Sequence, residues 1–118
     1  MAGPHISFDK KSGPIVINQL NDEGYTALHL AAQYGFTTII NMLRSAKGIL
    51  VNLKNNNGNT PLHMTAAFNA LTNVVEALMK FPGILHNEKN KDGDTPRDLA
   101  NDQYHEEVVE WLDNYNKI

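Results

Sequence analysis

Apolar residues in this chain fall in short paired bursts rather than long runs. Leu28, Ala31 and Ala32 share one face at helical spacing, and their small size lets another helix come close. Ile39, Ile40, Met42 and Leu43 follow as the apolar stripe of a second short helix, with Gly48 marking its end. The alternation returns with a helix that starts at Thr60-Pro61 and another at Val74-Val75-Glu76-Ala77-Leu78, stopped by Phe81-Pro82-Gly83. It returns again from Thr95-Pro96 to Val108-Val109-Glu110-Trp111-Leu112. Polar turns separate the pairs: Asn21-Asp22-Glu23-Gly24, Asn55-Asn56-Asn57-Gly58 and Asn90-Lys91-Asp92-Gly93. Asn and Gly accept positive φ, so each is a strong turn signal. Thr26, Thr60 and Thr95 can each cap the helix that follows, and Pro61 and Pro96 suit the first helical position, where a missing N–H does no harm. Gly35 is placed to end the first helix in a left-handed conformation, and Asn69, the next-best left-handed residue, stands at the same point of the second unit. The second unit is one residue longer, which predicts an extra loop residue near Ala70-Leu71.

The bursts are copies of one unit. Gly24-Tyr25-Thr26-Ala27-Leu28-His29-Leu30-Ala31-Ala32 returns as Gly58-Asn59-Thr60-Pro61-Leu62-His63-Met64-Thr65-Ala66, and a worn third copy runs from Gly93 to Asn101. Thr60 follows Thr26 by 34 positions and Thr95 follows Thr60 by 35. A period in the range of roughly 20–50 residues marks an array of stacked units, which offers a surface rather than a catalytic pocket. The third copy has Arg97 for Leu, Asp98 for His and Tyr104 for the loop Gly, while Asp102, Glu106, Glu107, Glu110 and Asp113 make it polar. A terminal unit must face water, so this one is expected to be a C-terminal cap. At the other end, Ile15-Val16-Ile17-Asn18 matches Ile49-Leu50-Val51-Asn52, so residues 14–20 look like the tail of a preceding unit. Residues 6–12 have room for a remnant helix only, because Pro4, Gly13 and Pro14 keep it short. The expectation is a chain cut from a longer protein, with 1–13 a tail or partial cap whose Met1-Ala2-Gly3-Pro4-His5 has the character of a cloning remnant, and 14–118 a repeat domain with units at about 21–53, 55–88 and 90–115.

The order turn, Thr-Pro-Leu-His, Ala-Ala, Val-Val-x-x-Leu resembles the ankyrin repeat over residues 15–115. The resemblance implies an all-α ankyrin-repeat solenoid of stacked antiparallel helix pairs with projecting β-hairpin-like loops. It implies a non-catalytic module that binds another protein or peptide on its concave face, through the finger tips and the exposed positions of the first helices. Mapped onto this chain, the finger positions are Asp22, Glu23, Tyr25, Asn56, Asn57, Asn59, Lys91, Asp92 and Asp94; those at the ends of the first helices are Gln33, Tyr34, Ala67, Phe68, Asp102 and Gln103. The partner-binding set expected here is Asp22, Glu23, Tyr25, Gln33, Tyr34, Asn57, Asn59, Phe68, Lys91 and Asp92. Tyr25, Tyr34 and Phe68 stand out because aromatic anchors dominate interfaces. A narrower version is a cationic or methylated tail held by Glu23 and these three rings. The competing reading is a structural spacer or oligomerisation segment, joined to further domains of the same protein, that uses its bare N-terminal end.

Composition narrows the chemistry. The chain has 118 residues, 42% of them hydrophobic and 19% charged, which suits one packed domain and not a disordered segment. It has no Cys, so disulfides and Cys-based zinc sites are excluded, and a reducing intracellular place, the cytoplasm before the nucleus, is expected. No run approaches the roughly 20 apolar residues of a membrane span, so no membrane insertion is expected. The net charge of −3 divides unevenly: residues 88–118 hold nine acids and four bases, leaving the remainder at +2. No basic stripe for nucleic acid is visible, and the acidic third is suited to steering a basic partner.

Candidate catalytic groups are sparse. His29 and His63 recur with the repeat and read as structural, bonded near the helix start, rather than as paired metal ligands; His5, His86 and His105 have no His-x-x-x-His spacing. Adjacent Glu106 and Glu107 point to different sides of a helix and form no dyad. None of Ser7, Ser12 and Ser45 lies in a nucleophile motif, and no phosphate-binding Gly pattern occurs. Neither a catalytic residue nor a cofactor or metal is expected. In the family, the positions of Asn18, Asn52 and Asn87 resemble those hydroxylated in some members. Trp111 is expected to pack on the preceding helix pair.

Overall fold

The computed structural model describes residues 17–116; the N-terminal tail at 1–13, with His5 and the remnant helix expected at 6–12, lies outside the described residues. Six helices follow one another: α1 Ala27–Tyr34, α2 Thr37–Arg44, α3 Pro61–Phe68, α4 Thr72–Met79, α5 Pro96–Asp102 and α6 Glu106–Tyr115. They form three antiparallel pairs. The first helices stack as α1, α3, α5 and the second as α2, α4, α6, and no strand occurs among the described residues. The chain is an all-α solenoid.

Each first helix begins at a threonine that caps it. Thr26 Oγ1 accepts from the His29 backbone N–H at 3.2 Å, while the His29 ring accepts from the Thr26 N–H at 3.1 Å. Thr60 and His63 repeat this reciprocal pair, and in the third unit Asp98 accepts from the Thr95 N–H at 3.0 Å. Two of the donors orphaned at a helix start are satisfied each time.

Packing polarity decides which apolar residues are core. Leu28, Leu62, Leu78 and Leu112 are buried within their own pairs. On the second helices Ile40 and Val75 are fully buried, whereas the equivalent Val109 of the third unit is only half-buried. Ile39 and Met42 lie on a different side of α2. The expectation that they share the core stripe is corrected: Ile39 is 44% exposed and Met42 67%, while their counterparts Val74 and Ala77 are 1% and 6% exposed because α2 covers them. Two loop expectations also change. The second helix ends at Arg44, with Ser45 as its cap, and Gly48 closes the turn after it. Asn69 is extended at φ −128°, not left-handed, because three residues rather than two link α3 to α4. Its side chain turns back to donate to Ala32 O and Gln33 O at 3.0 and 2.7 Å, tying the second unit to the first. Trp111 is half-buried against the core and stacks on Tyr115 at 5.6 Å.

Candidate binding surface

The fingers are hydrogen-bonded turns built on one asparagine each. Asn55 Oδ1 accepts from the backbone N–H groups of Asn57 and Asn59, and the Asn55 N–H donates to Asn59 O. Asn21 and Asn90 do the same for the first and third fingers. Neighbouring fingers are then joined through the backbone: Asn56 N–H donates to Glu23 O at 3.0 Å, and Lys91 N–H to Asn57 O at 3.1 Å. The glycines permit this closeness. A Cβ on Gly24 would lie 2.9 Å from Asn56 N, and one on Gly58 2.7 Å from Lys91 N. The side chains of Asp22, Glu23, Asn57, Lys91 and Asp92 are left exposed along the row of tips.

Two of the expected finger residues also make contacts within the fold. Asn59 is half-buried: its carbonyl accepts from His29 Nε2 at 2.9 Å and its Oδ1 from Asn90 Nδ2 at 2.9 Å. Tyr25 is half-buried against the core, its ring 5.7 Å from that of His29. Sequence spacing shows that a position is free of the repeat motif; it does not show that the side chain turns inward.

The ends of the first helices are different. Tyr34 and Phe68 occupy equivalent positions on α1 and α3 and are 60% and 59% exposed. Gln33 beside Tyr34 is half-buried, and its carbonyl is taken by Asn69. Three further exposed apolar residues lie in the loops that join the helices of each pair: Phe36, Leu71 and Tyr104. Tyr34 and Phe36 stack with centroids 5.9 Å apart. The result is an apolar ladder along the helix–helix loops, one rung per unit. Phe36, Leu71 and Tyr104 escape a reading centred on the repeat motif. Comparing the loops unit by unit would have found them, since each loop carries a large exposed apolar residue. The ring contacts pair Tyr25 with His29 and Tyr34 with Phe36.

His29 and His63 are fully buried bridges between units. Each Nδ1 accepts from the N–H of the capping threonine, so the proton sits on Nε2, which donates across the interface: to Asn59 O from His29 and to Asp94 O from His63, both at 2.9 Å. Burial pushes both imidazoles below the usual histidine pKa, and the bonds to those carbonyls oppose the shift only in part. Among the described residues no group of three His, Cys, Asp or Glu side chains is placed to hold a metal. Asn18 and Asn52 clasp the following loop: Asn18 Oδ1 accepts from Leu50 N–H and its Nδ2 donates to Gly48 O, both at 2.8 Å, and Asn52 does likewise with Leu85 and Gly83. Asn87 Nδ2 donates to Asn116 Oδ1 at 3.5 Å.

A family model described as ankyrin repeats (many copies) matches residues 11–64, and a second, ankyrin repeats (3 copies), matches residues 44–118. No curated protein matches the chain.

Proposed function

The chain belongs to the ankyrin-repeat family, and we propose that it is a non-catalytic module that binds a partner protein or peptide along the finger tips and the apolar ladder. Ankyrin repeats are generally protein–protein interaction modules, which supports this reading. The observation that carries the reading is the exposure of Tyr34 and Phe68 at equivalent points of successive helices, extended by Phe36, Leu71 and Tyr104. Large apolar residues aligned on one side are unfavourable in water and supply the anchors from which interfaces draw most of their energy. The tips, at the opposite ends of the first helices, supply polar contacts of their own through Asp22, Glu23, Asn57, Lys91 and Asp92.

Among the sequence-expected contacts, Tyr34 and Phe68 are therefore the anchors, and Tyr25 and Asn59 support the scaffold. The test is the double substitution Tyr34→Ala, Phe68→Ala. Both side chains are exposed, so the melting temperature should stay close to that of the parent. Partner recovery in affinity capture should fall by at least about tenfold, as expected when two hot-spot residues are truncated. Undiminished recovery would remove the ladder from the binding surface.

A further inference from the structure

The apolar ladder does not end in water at the third unit; it runs into an acidic cavity. Between the C-terminal end of α5 and the outer side of α6 lies a cavity of about 550 Å³. Its walls include Asp102, Glu106 and Glu110, with Val109 and His105 beside them and the exposed ring of Tyr104. A further wall residue, Asp113, is held by Arg97 through two bonds of 3.0 and 3.2 Å. No Lys or Arg lines the cavity among the described residues. His105 fixes it relative to the ladder, because its Nδ1 lies 2.8 Å from Ala66 O, two residues before Phe68.

We propose that this surface receives an extended segment of a partner protein that lays apolar side chains over the first two units and places a Lys or Arg side chain in the acidic cavity of the third. This rests on the ladder being the binding surface. The cavity fits a basic side chain in both parts: Val109 offers an apolar wall for the methylene stem, and Glu106 and Glu110 offer carboxylates for the charged head. Tyr104 adds a ring face that attracts a cation. Another repeat unit is a poorer occupant. At the positions of the buried Ala32 and Ala66 the third unit has the exposed Asn101, and a following apolar face would have to desolvate the carboxylates around it. The geometry also sets a register. Packed helices lie about 8–10 Å apart and an extended chain advances about 3.3 Å per residue, so successive contacts fall about three residues apart. The segment therefore carries two apolar residues about three positions apart and the basic one about three positions beyond them, in either chain direction.

Selection of random twelve-residue peptides displayed on phage, against the chain in low salt, tests this directly. The expected outcome is enrichment of peptides with both features at that spacing, with one chain direction dominant. Replacing the basic residue by Gln should weaken binding roughly 3- to 10-fold to the parent chain and have little effect on the Glu106→Gln, Glu110→Gln variant, whose folding is checked by its melting curve. A second variant, Asp102→Asn, should reproduce the loss in part. Peptides enriched in apolar residues without a basic one overturn the inference and leave the ladder standing as the binding surface. Basic peptides whose binding is indifferent to Tyr34→Ala, Phe68→Ala overturn the combined surface and count against the ladder. A selection that enriches neither feature overturns both readings.

Discussion

The Nδ1 atoms of His29 and His63 each face two groups of the capping threonine: its backbone N–H at 3.1 Å and its hydroxyl at 2.9 Å. Adding a proton to Nδ1 removes the acceptor that the N–H requires, in a site already closed to water. The folded pKa values are lowered accordingly, by burial first. The unfolded chain has ordinary histidines that begin to take up protons near 6.5, so below that pH it binds more protons than the native state. Stability should therefore fall as pH drops below about 6.5, by up to about 1.4 kcal/mol per pH unit for each of the two residues, until the lowered folded values are reached. Urea midpoints measured from pH 7.5 to 5 check this, with His63→Gln expected to flatten the slope; an unaltered slope would show that the buried imidazole is not its source. In the third unit Asp98 keeps the cap, but its short carboxylate has no N–H to donate across an interface. Its carboxyl is held below the usual range, chiefly by the backbone bond from Thr95, so its own contribution is present above the unfolded carboxylate pKa and is lost as pH falls below it, in a lower window. The third unit therefore lacks the side-chain bridge that His29 and His63 form between units.

Among the elements, the fingers tie local turn geometry to the joining of units, and the glycines separate the two. Gly58 and Gly93 have nearly the same left-handed backbone, φ +79° and +82°. A Cβ on Gly58 would lie 2.7 Å from Lys91 N, whereas one on Gly93 meets nothing within 4 Å. Gly93→Ala should cost about 1–2 kcal/mol, the penalty for a side chain at that φ. Gly58→Ala should cost about 1–3 kcal/mol more, because it also displaces the Lys91 N–H donated to Asn57 O. Denaturant unfolding of the two variants measures the difference; equal losses would mean that finger joining contributes nothing. The capped first helices and their turns were legible in the sequence because Thr, His, Asn and Gly act there through local geometry. Asn69 was misread for a complementary reason. A single inserted residue changes the path of the loop, and the same amide then serves the first unit's carbonyls rather than a left-handed cap. Periodicity reports the face of a helix but not the length of the loop that aims it.

For the whole molecule, burial depends on which neighbour a unit has. Ile39 and Val74 are the same letter of the repeat, yet one is exposed and the other closed, because α2 lies in front of Val74 and no described residue plays that part for Ile39. This is why the apolar stripe of α2 does not reveal that Ile39 and Met42 are exposed: the repeat states which residues face a neighbour, and only the assembled stack states whether the neighbour is there. Tyr34 and Phe68 were legible as positions the repeat does not need, whereas Phe36, Leu71 and Tyr104 lie in loops that the motif does not describe. The same dependence governs how damage spreads. Leu78 and Leu112 are equivalent, both essentially closed to solvent, so truncation to Ala should cost each unit a similar ~2–5 kcal/mol. The consequences should differ. The second unit has neighbours on both sides, α1 and α5 on α3 and α2 and α6 on α4, so it cannot open without breaking two interfaces. The third unit breaks one. In a stack whose stability is a sum of unit and nearest-neighbour contributions, Leu112→Ala should let α5 and α6 open while α1 to α4 stay closed, and Leu78→Ala should lower the whole chain together. Native-state hydrogen exchange resolves the two. For Leu112→Ala, protection should fall in α5 and α6 by more than tenfold relative to α3; for Leu78→Ala, all six helices should lose protection alike. A uniform loss in both variants would show that the three units unfold as one cooperative block, and that the acidic end of the molecule is as firmly held as its centre.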